Sequence, residues 1–168
     1  MRTKDLVFMA LFIVLEVIST RFLSLEFATL RIGFTFIAYA LAGLFYGPLR
    51  GGLMAAAADI IGIVLWPKGG VYFVGFTISA FLQGASFGFL KSDGSIDKRL
   101  IAILLFETIG VSLILNTYWL HIMYDKAWIL FIGPRIVKEA VLIVIRFTVI
   151  RSVVIPLYNR IKEERLLV

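Results

Sequence analysis

Residues 29–66 read TLRIGFTFIAYALAGLFYGPLRGGLMAAAADIIGIVLW, and the dipeptide Gly47-Pro48 decides how they fold. Each side of that pair carries an apolar run about as long as the 17–25 residues a helix needs to cross a bilayer. Gly-Pro stops one helix and starts the next. The reading is therefore two consecutive helices, about Thr29–Tyr46 and about Leu49–Trp66. The second opens on Gly51-Gly52 and Ala55–Ala58, a small-residue run that lets helix backbones approach closely. Working outward, similar runs predict a first helix over Asp5–Ile18, a fourth over Phe73–Leu90, a fifth over Arg99–Met123 and a sixth over Pro134–Tyr158. Pro134 suits the first position of that last helix, where its missing N–H costs nothing. Between the helices, Ser19–Ala28 reads as a loop or a short, partly buried stretch, Pro67–Gly70 as a turn, and Lys91–Lys98 as the most polar loop.

Composition points the same way. Of 168 residues, 61% are hydrophobic and only 17% charged, with a mean hydropathy of +0.98, too apolar for the surface of a soluble domain. The expectation is an all-α integral membrane bundle, one domain over residues 1–168 with six transmembrane helices in the lipid bilayer. The N-terminus lacks a small-residue cleavage site and reads as a retained helix rather than a signal peptide. The net charge of +6 would suggest nucleic acid in a soluble protein. Here it follows topology, because Lys and Arg collect on cytoplasmic loops. With the N-terminus inside, the cytoplasmic side holds Arg2, Lys4, Arg50, Lys91, Lys98, Arg99, Arg160, Lys162 and Arg165, against Arg21, Lys68 and Lys126 outside. Six helices then put both termini in the cytoplasm, and no nucleic-acid partner is expected.

Motifs for catalysis are missing. No GxxxxGK[ST] loop is present, so the chain has no ATPase of its own. No HExxH or GxSxG occurs, and His121 is the single histidine. The absence of cysteine removes thiolate chemistry and disulfides. Neither a catalytic residue, a metal site nor a cofactor is expected. His121 reads most simply as an interfacial or hydrogen-bonded side chain.

Ionisable residues inside apolar helices carry more information, since each costs about 2.5–3.5 kcal/mol at the bilayer centre. Arg135, Lys138, Glu139 and Arg146 share one stripe of the last helix. Arg135 and Glu139 have the i, i+4 spacing of an ion pair, which leaves Lys138 as free positive charge. Arg31 and Arg21 add cations on the same outer side. Two readings stand for these: an outward cavity for an anion, or long side chains snorkelling to headgroups. Asp59, Glu107 and Glu16 are acids within helices, each able to pair with a cation of helix six. Asn116, within helix five, suits either a neighbouring helix or the edge of a heterocycle.

Trp66, Trp119 and Trp128, with Tyr72, Phe73, Phe76, Tyr118 and Tyr124, all fall toward the outer side. They read as an aromatic belt or as a stacking pocket for a planar ring. The clustering around Trp66–Phe76 favours the pocket, and with nearby cations a planar ring bearing carboxylates is the matching ligand. The Gly43–Gly47, Gly47–Gly51 and Gly84–Gly88 spacings are GxxxG patterns that predict close helix packing.

On these residues the chain resembles the substrate-binding S components of energy-coupling factor (ECF) transporters, and among them the folate-specific S components (FolT). Leu30-Arg31-Ile32-Gly33-Phe34-Thr35-Phe36-Ile37, continuing through Ala40-Leu41-Ala42-Gly43 to Tyr46-Gly47-Pro48, is similar to that family's second helix. Gly51-Gly52 and Ala58-Asp59-Ile60-Ile61-Gly62 resemble its third. Pro67-Lys68-Gly69-Gly70-Val71-Tyr72-Phe73-Val74-Gly75-Phe76-Thr77-Ile78-Ser79-Ala80-Phe81-Leu82 closely resembles the segment PxGGxYFxGFTxSAFL, and Leu115-Asn116-Thr117-Tyr118-Trp119-Leu120 resembles LNTxWL. The resemblance covers most of the chain. It implies capture of folate or a reduced folate from outside, and assembly with a transmembrane T component and two cytoplasmic ATPase subunits. It also implies an AxxxA docking pattern on helix one, for which the best match here is Ala10 to Val14, with Val14 departing from the pattern. From chemistry and position, the residues expected to contact the ligand are Arg21, Arg31, Trp66, Tyr72, Phe76, Ser79, Asn116, Trp119, Arg135 and Lys138. Other classes remain open: an S component for another vitamin, an intramembrane enzyme acting on lipid, or a subunit in which these groups only pair helices.

Overall fold

The computed structural model describes residues 3–26, 31–67, 72–91, 95–125 and 129–163. It is almost entirely helical. The order is α1 (Thr3–Arg21), a hairpin of β1 (Ser24–Glu26) and β2 (Arg31–Gly33), α2 (Thr35–Leu65), α3 (Val74–Phe87), α4 (Ile96–Leu105), α5 (Asn116–Tyr124), α6 (Ile129–Val149) and α7 (Ile155–Glu163). A short 3-10 turn, Gly88–Lys91, extends α3.

Among the described residues three helices are long and apolar enough to cross a membrane: Thr35–Leu65, Ile96–Tyr124 and Arg135–Glu163. The first is not one rod. At Gly47 the backbone takes φ 78° and ψ −177°, a conformation that only glycine adopts readily. There the chain turns back on itself. A Cβ on Gly51 would stand 3.3 Å from the Cα of Gly43, whereas eight residues of straight helix rise about 12 Å. Residues 35–46 and 48–65 are therefore two antiparallel rods joined at Gly47-Pro48, as the sequence predicts.

The glycine spacings mark where these rods cross α3. A Cβ on Gly84 would meet the carbonyl oxygen of Gly51 at 2.5 Å and Ala55 Cβ at 2.7 Å; one on Gly43 would meet the Phe87–Gly88 backbone at 2.6 Å. Close packing without side chains is what GxxxG spacings supply in helices that have no hydrophobic drive to associate. Below this crossing Phe36, Ala40, Leu41, Leu44, Phe87, Leu90, Leu100, Leu104, Ile150 and Val154 form the buried core.

Contacts fix the two ends of the bundle. Tyr46 Oη donates to the Asp5 carbonyl at 3.5 Å, and Phe12 packs on Phe45 and Tyr46. At the opposite end Phe22 packs on Trp66, and Arg21 covers Gly62. The first three rods thus alternate in direction.

Three boundaries differ from the sequence reading. First, Ser19–Arg21 belong to the last turn of α1, not to a loop, and the Ser24 hydroxyl donates back to the Thr20 carbonyl. Second, the second helix starts at Thr35, because Arg31–Gly33 pair antiparallel with Ser24–Glu26, Leu25 opposite Ile32. A helix of residues 35–46 rises only about 18 Å, short of the roughly 30 Å hydrocarbon core. The two strands satisfy part of their backbone groups by pairing with each other at three positions. Third, α6 begins at Ile129, so Pro134 lies in its second turn instead of at its first position.

The last two rods also carry wide turns. Phe106–Leu115 and Ile150–Val154 are π-helical, joining α4 to α5 and α6 to α7. Asn116 N–H, for example, donates to the Val111 carbonyl. Around the outside, apolar side chains face away from the core, among them Leu6, Val7, Leu11, Val137, Val141 and Val144. A bilayer is the solvent that suits such a surface. Arg2, Lys68, Lys126, Trp128 and Arg165 lie outside the described residues.

Candidate functional site

The motif Tyr72–Leu82 runs from an extended segment into α3, and the turn it makes gathers aromatic rings at one end of the bundle. Phe73 stacks edge-on against Phe76 (6.0 Å between centroids) and tilts against Trp119 (5.6 Å), which in turn contacts Tyr118 (5.2 Å). Gly75 makes this possible: a Cβ there would come within 2.5 Å of the Trp119 ring. Trp119 Nε1 donates to Ser79 Oγ at 3.1 Å, which fixes the indole against α3. Ser79 is 2% exposed, so the acceptor end of the bond is buried.

A second clasp holds the start of α3. Thr77 Oγ1 donates to Asp59 Oδ2 at 2.7 Å and lies 3.2 Å from Tyr72 Oη. Asp59 thus binds the motif segment to the rod 48–65. This contact replaces the expected pairing of Asp59 with a helix-six cation. Glu107 accepts from Ser86 Oγ at 2.6 Å, again a hydroxyl and not the helix-six cation expected for it. Neither carboxylate oxygen of buried Glu16 has a hydrogen-bond partner among the described residues, so its expected ion pair is also not seen.

The cations of α6 gather on one carboxylate. Glu139, 1% exposed, receives Lys138 Nζ at 2.7 Å and Arg146 at 3.2 Å, and accepts from Ser112 Oγ at 2.5 Å. Arg135 donates to the Ser112 carbonyl at 2.9 Å. Two expectations change. Lys138 is not a free charge, because it pairs with its chain neighbour. Arg146 reaches Glu139 from two turns away and was not among the expected site residues. The spacing of seven residues could have suggested it, since the stripe itself was visible. Carboxylate and cations at such distances offset the cost of burial that each would bear alone.

Asn116 connects the two groups. It stands one turn beyond Ser112 and three residues before Trp119 on the same rod, and its Oδ1 is buried with no hydrogen-bond partner among the described residues. A buried amide oxygen without a partner is costly unless something else bonds it.

The structure therefore brings Tyr72, Phe76, Ser79 and Trp119 together with their neighbours, and places Arg135 and Lys138 in a cluster on the far side of Asn116. Trp66 stands apart from the ring cluster. It is 54% exposed and packs on Phe22, with Arg21 of the same turn buried over Gly62. Arg31 sits in β2, and its side chain lies outside the described residues. Thr77 and Asp59 are supports that spacing alone does not reveal, because their partnership spans 18 residues and depends on how two rods cross. Among the described residues no group of three or more His, Asp or Glu could hold a metal ion.

Known proteins resemble this chain in sequence and fold. Residues 4–154 match the model of the family described as ECF transporter, substrate-specific component. The chain is 40% identical over 151 residues to the folate transporter FolT of Clostridium novyi (strain NT), covering 89% of this chain and 87% of that protein. It is 30% identical over 151 residues to the folate transporter FolT of Leuconostoc mesenteroides subsp. mesenteroides, covering 83% and 78%. A crystal structure of FolT bound with folic acid superimposes with a TM-score of 0.85 at 34% identity, covering 91% of this chain and 93% of that one. A family match over most of the chain, and a shared fold at this identity, leave one conclusion: the chain belongs to the substrate-specific components of ECF transporters, a family of membrane transport proteins and not of enzymes.

Proposed function

We propose that this chain captures folate or a reduced folate at the outer face of a bacterial plasma membrane, for import by an ECF-type ABC transporter. It would work as a single bundle of six spans with both termini in the cytoplasm. A T component and two ATPase subunits would complete the transporter, since the chain has no phosphate-binding loop of its own.

The observation that carries the ligand reading is Asn116, whose amide oxygen is buried without a partner among the described residues, on the rod that carries Trp119 of the ring cluster and Ser112 of the cation cluster. A pterin offers that combination its counterpart: a flat face to stack on Phe73, Phe76 or Trp119, and edge N–H groups for Asn116. The glutamate carboxylates suit the cations Arg21, Arg31, Arg135 and Lys138. Trp66 and Tyr72, both substantially exposed, would close over the ligand from the solvent side. Similarity to proteins named as folate transporters, one solved with folic acid, supports the same reading. For docking, Ala10 and Val14 share an exposed face of α1 with Leu6 and Ile18, an apolar stripe free for the T component.

Titration of purified protein with folate should quench tryptophan fluorescence at low ligand concentration, through Trp119 and Trp66. Quenching by another vitamin and not by folate would retain the family and reject the ligand.

A further inference from the structure

Away from the candidate site, α4 and α6 leave a groove on the outer surface of the bundle. Its volume is about 210 Å³ and its lining is wholly apolar: Ile101, Leu104, Ile143, Val144 and Phe147. A helix with its side chains is about 10–12 Å across, too thick for such a groove, whereas a single hydrocarbon chain fits. One turn toward the start of α4 the character changes. Arg151 Nε pairs with Asp97 Oδ1 at 2.7 Å across the two rods, both side chains nearly half exposed. Lys98 stands beside Asp97, one turn before Ile101, and is exposed. Among the described residues of these two rods, Lys98 and Arg151 set against Asp97 leave surplus positive charge at this end. It lies at the end of the bundle that holds Tyr46 and Asp5, away from the ring cluster.

An apolar slot ending in surplus positive charge, in a surface that faces lipid, matches the shape and charge of one lipid class. We propose that this groove is a binding site for an anionic phospholipid, one acyl chain lying between α4 and α6 and the phosphate at Lys98 and Arg151. Basic groups at a membrane surface select anionic headgroups electrostatically, and burial of the chain holds the lipid in place. The site rests on residues separate from those assigned to folate.

The test uses the full chain in nanodiscs of equal phosphatidylglycerol and phosphatidylcholine, released for native mass spectrometry. Retained phosphatidylglycerol should exceed phosphatidylcholine several-fold. Lys98→Gln with Arg151→Gln should bring that ratio to about one, and Val144→Trp, which fills the groove, should do the same. Equal retention of both lipids by the unaltered protein overturns the proposal, as does an excess that survives either variant. A photo-crosslinker at position 144 keeps the test independent of variant folding. Crosslinks to lipid in membranes containing the assembled transporter support the site. Crosslinks to a protein chain overturn it and make the groove a subunit contact.

Discussion

Arg21 lies directly over Gly62: a Cβ on that glycine would stand 2.8 Å from Arg21 Nε and 3.3 Å from its NH2 nitrogen. Arg21 as a whole residue is 8% exposed, so it is held against the bundle. Of the two readings open for this cation, burial over Gly62 is the geometry that an inward position requires. Gly62→Ala should displace Arg21 while leaving the rods in place. Folate affinity is expected to fall about tenfold, equivalent to about 1.4 kcal/mol, with a melting temperature within a few degrees of the parent. Isothermal titration beside thermal unfolding in detergent would check it. A loss of stability with unchanged affinity would make Arg21 a packing residue only.

Trp119 and Ser79 supply a second prediction. Removing the acceptor with Ser79→Ala leaves the indole N–H without its partner in a largely buried setting, a change worth about 1–3 kcal/mol. The freed ring can then tilt away from Phe73. The expected results are a shifted tryptophan emission maximum and a severalfold weaker folate quench. Ser79→Thr, which keeps a hydroxyl, should retain most of the quench.

These contacts mark what sequence can and cannot deliver. The reversal at Gly47-Pro48 is legible because both residues act through local backbone chemistry, one by its positive φ and one by its lost N–H. The glycine crossings are legible for the same reason: spacing on a helix sets which residues share a face. The Ser24–Gly33 hairpin is not, because no short Asn-Gly or Asp-Gly turn announces it, the polar run Ser24–Glu26 reads as loop, and Arg31–Gly33 read as the start of the helix that follows. The π turns leave no mark in composition, since a choice between four and five residues per hydrogen bond depends on what packs outside the rod. The stripe on α6 was visible, yet its partners were not. Glu139 could take Arg135, Lys138 or Arg146 from the same face, and only the position of Ser112 on a neighbouring rod decides how the group is arranged.

That arrangement makes Glu139 the residue whose loss should cost most. Glu139→Gln keeps an acceptor for Ser112 but leaves Lys138 and Arg146 without the carboxylate, and breaking a buried pair costs about 3–5 kcal/mol. Thermal unfolding in detergent should show a large drop in melting temperature. Arg151→Gln offers the contrast. Its pair with Asp97 is nearly half exposed on both sides, and such pairs are worth about 0–1 kcal/mol. Equal destabilisation by the two variants would show that the α6 cluster is more hydrated than its burial implies.

Gly47 and Gly88 allow the crossing itself to be tested, because they are glycine for different reasons. Gly47 has φ 78° but nothing within 4 Å of a Cβ, so Gly47→Ala meets only backbone strain of about 1–3 kcal/mol. Gly88 has ordinary helical geometry, φ −62°, yet a Cβ there would stand 2.2 Å from Pro48 N and 2.4 Å from Pro48 Cα. Those are backbone atoms that cannot rotate away, so Gly88→Ala must push α3 off the Gly47-Pro48 turn. The core beneath, where Phe87 and Leu90 meet Leu44, would open with it. The expected order is therefore a modest fall in melting temperature for Gly47→Ala and a larger one for Gly88→Ala. If Gly47→Ala proved the more damaging, the turn and not the crossing would be what holds the two rods and α3 together.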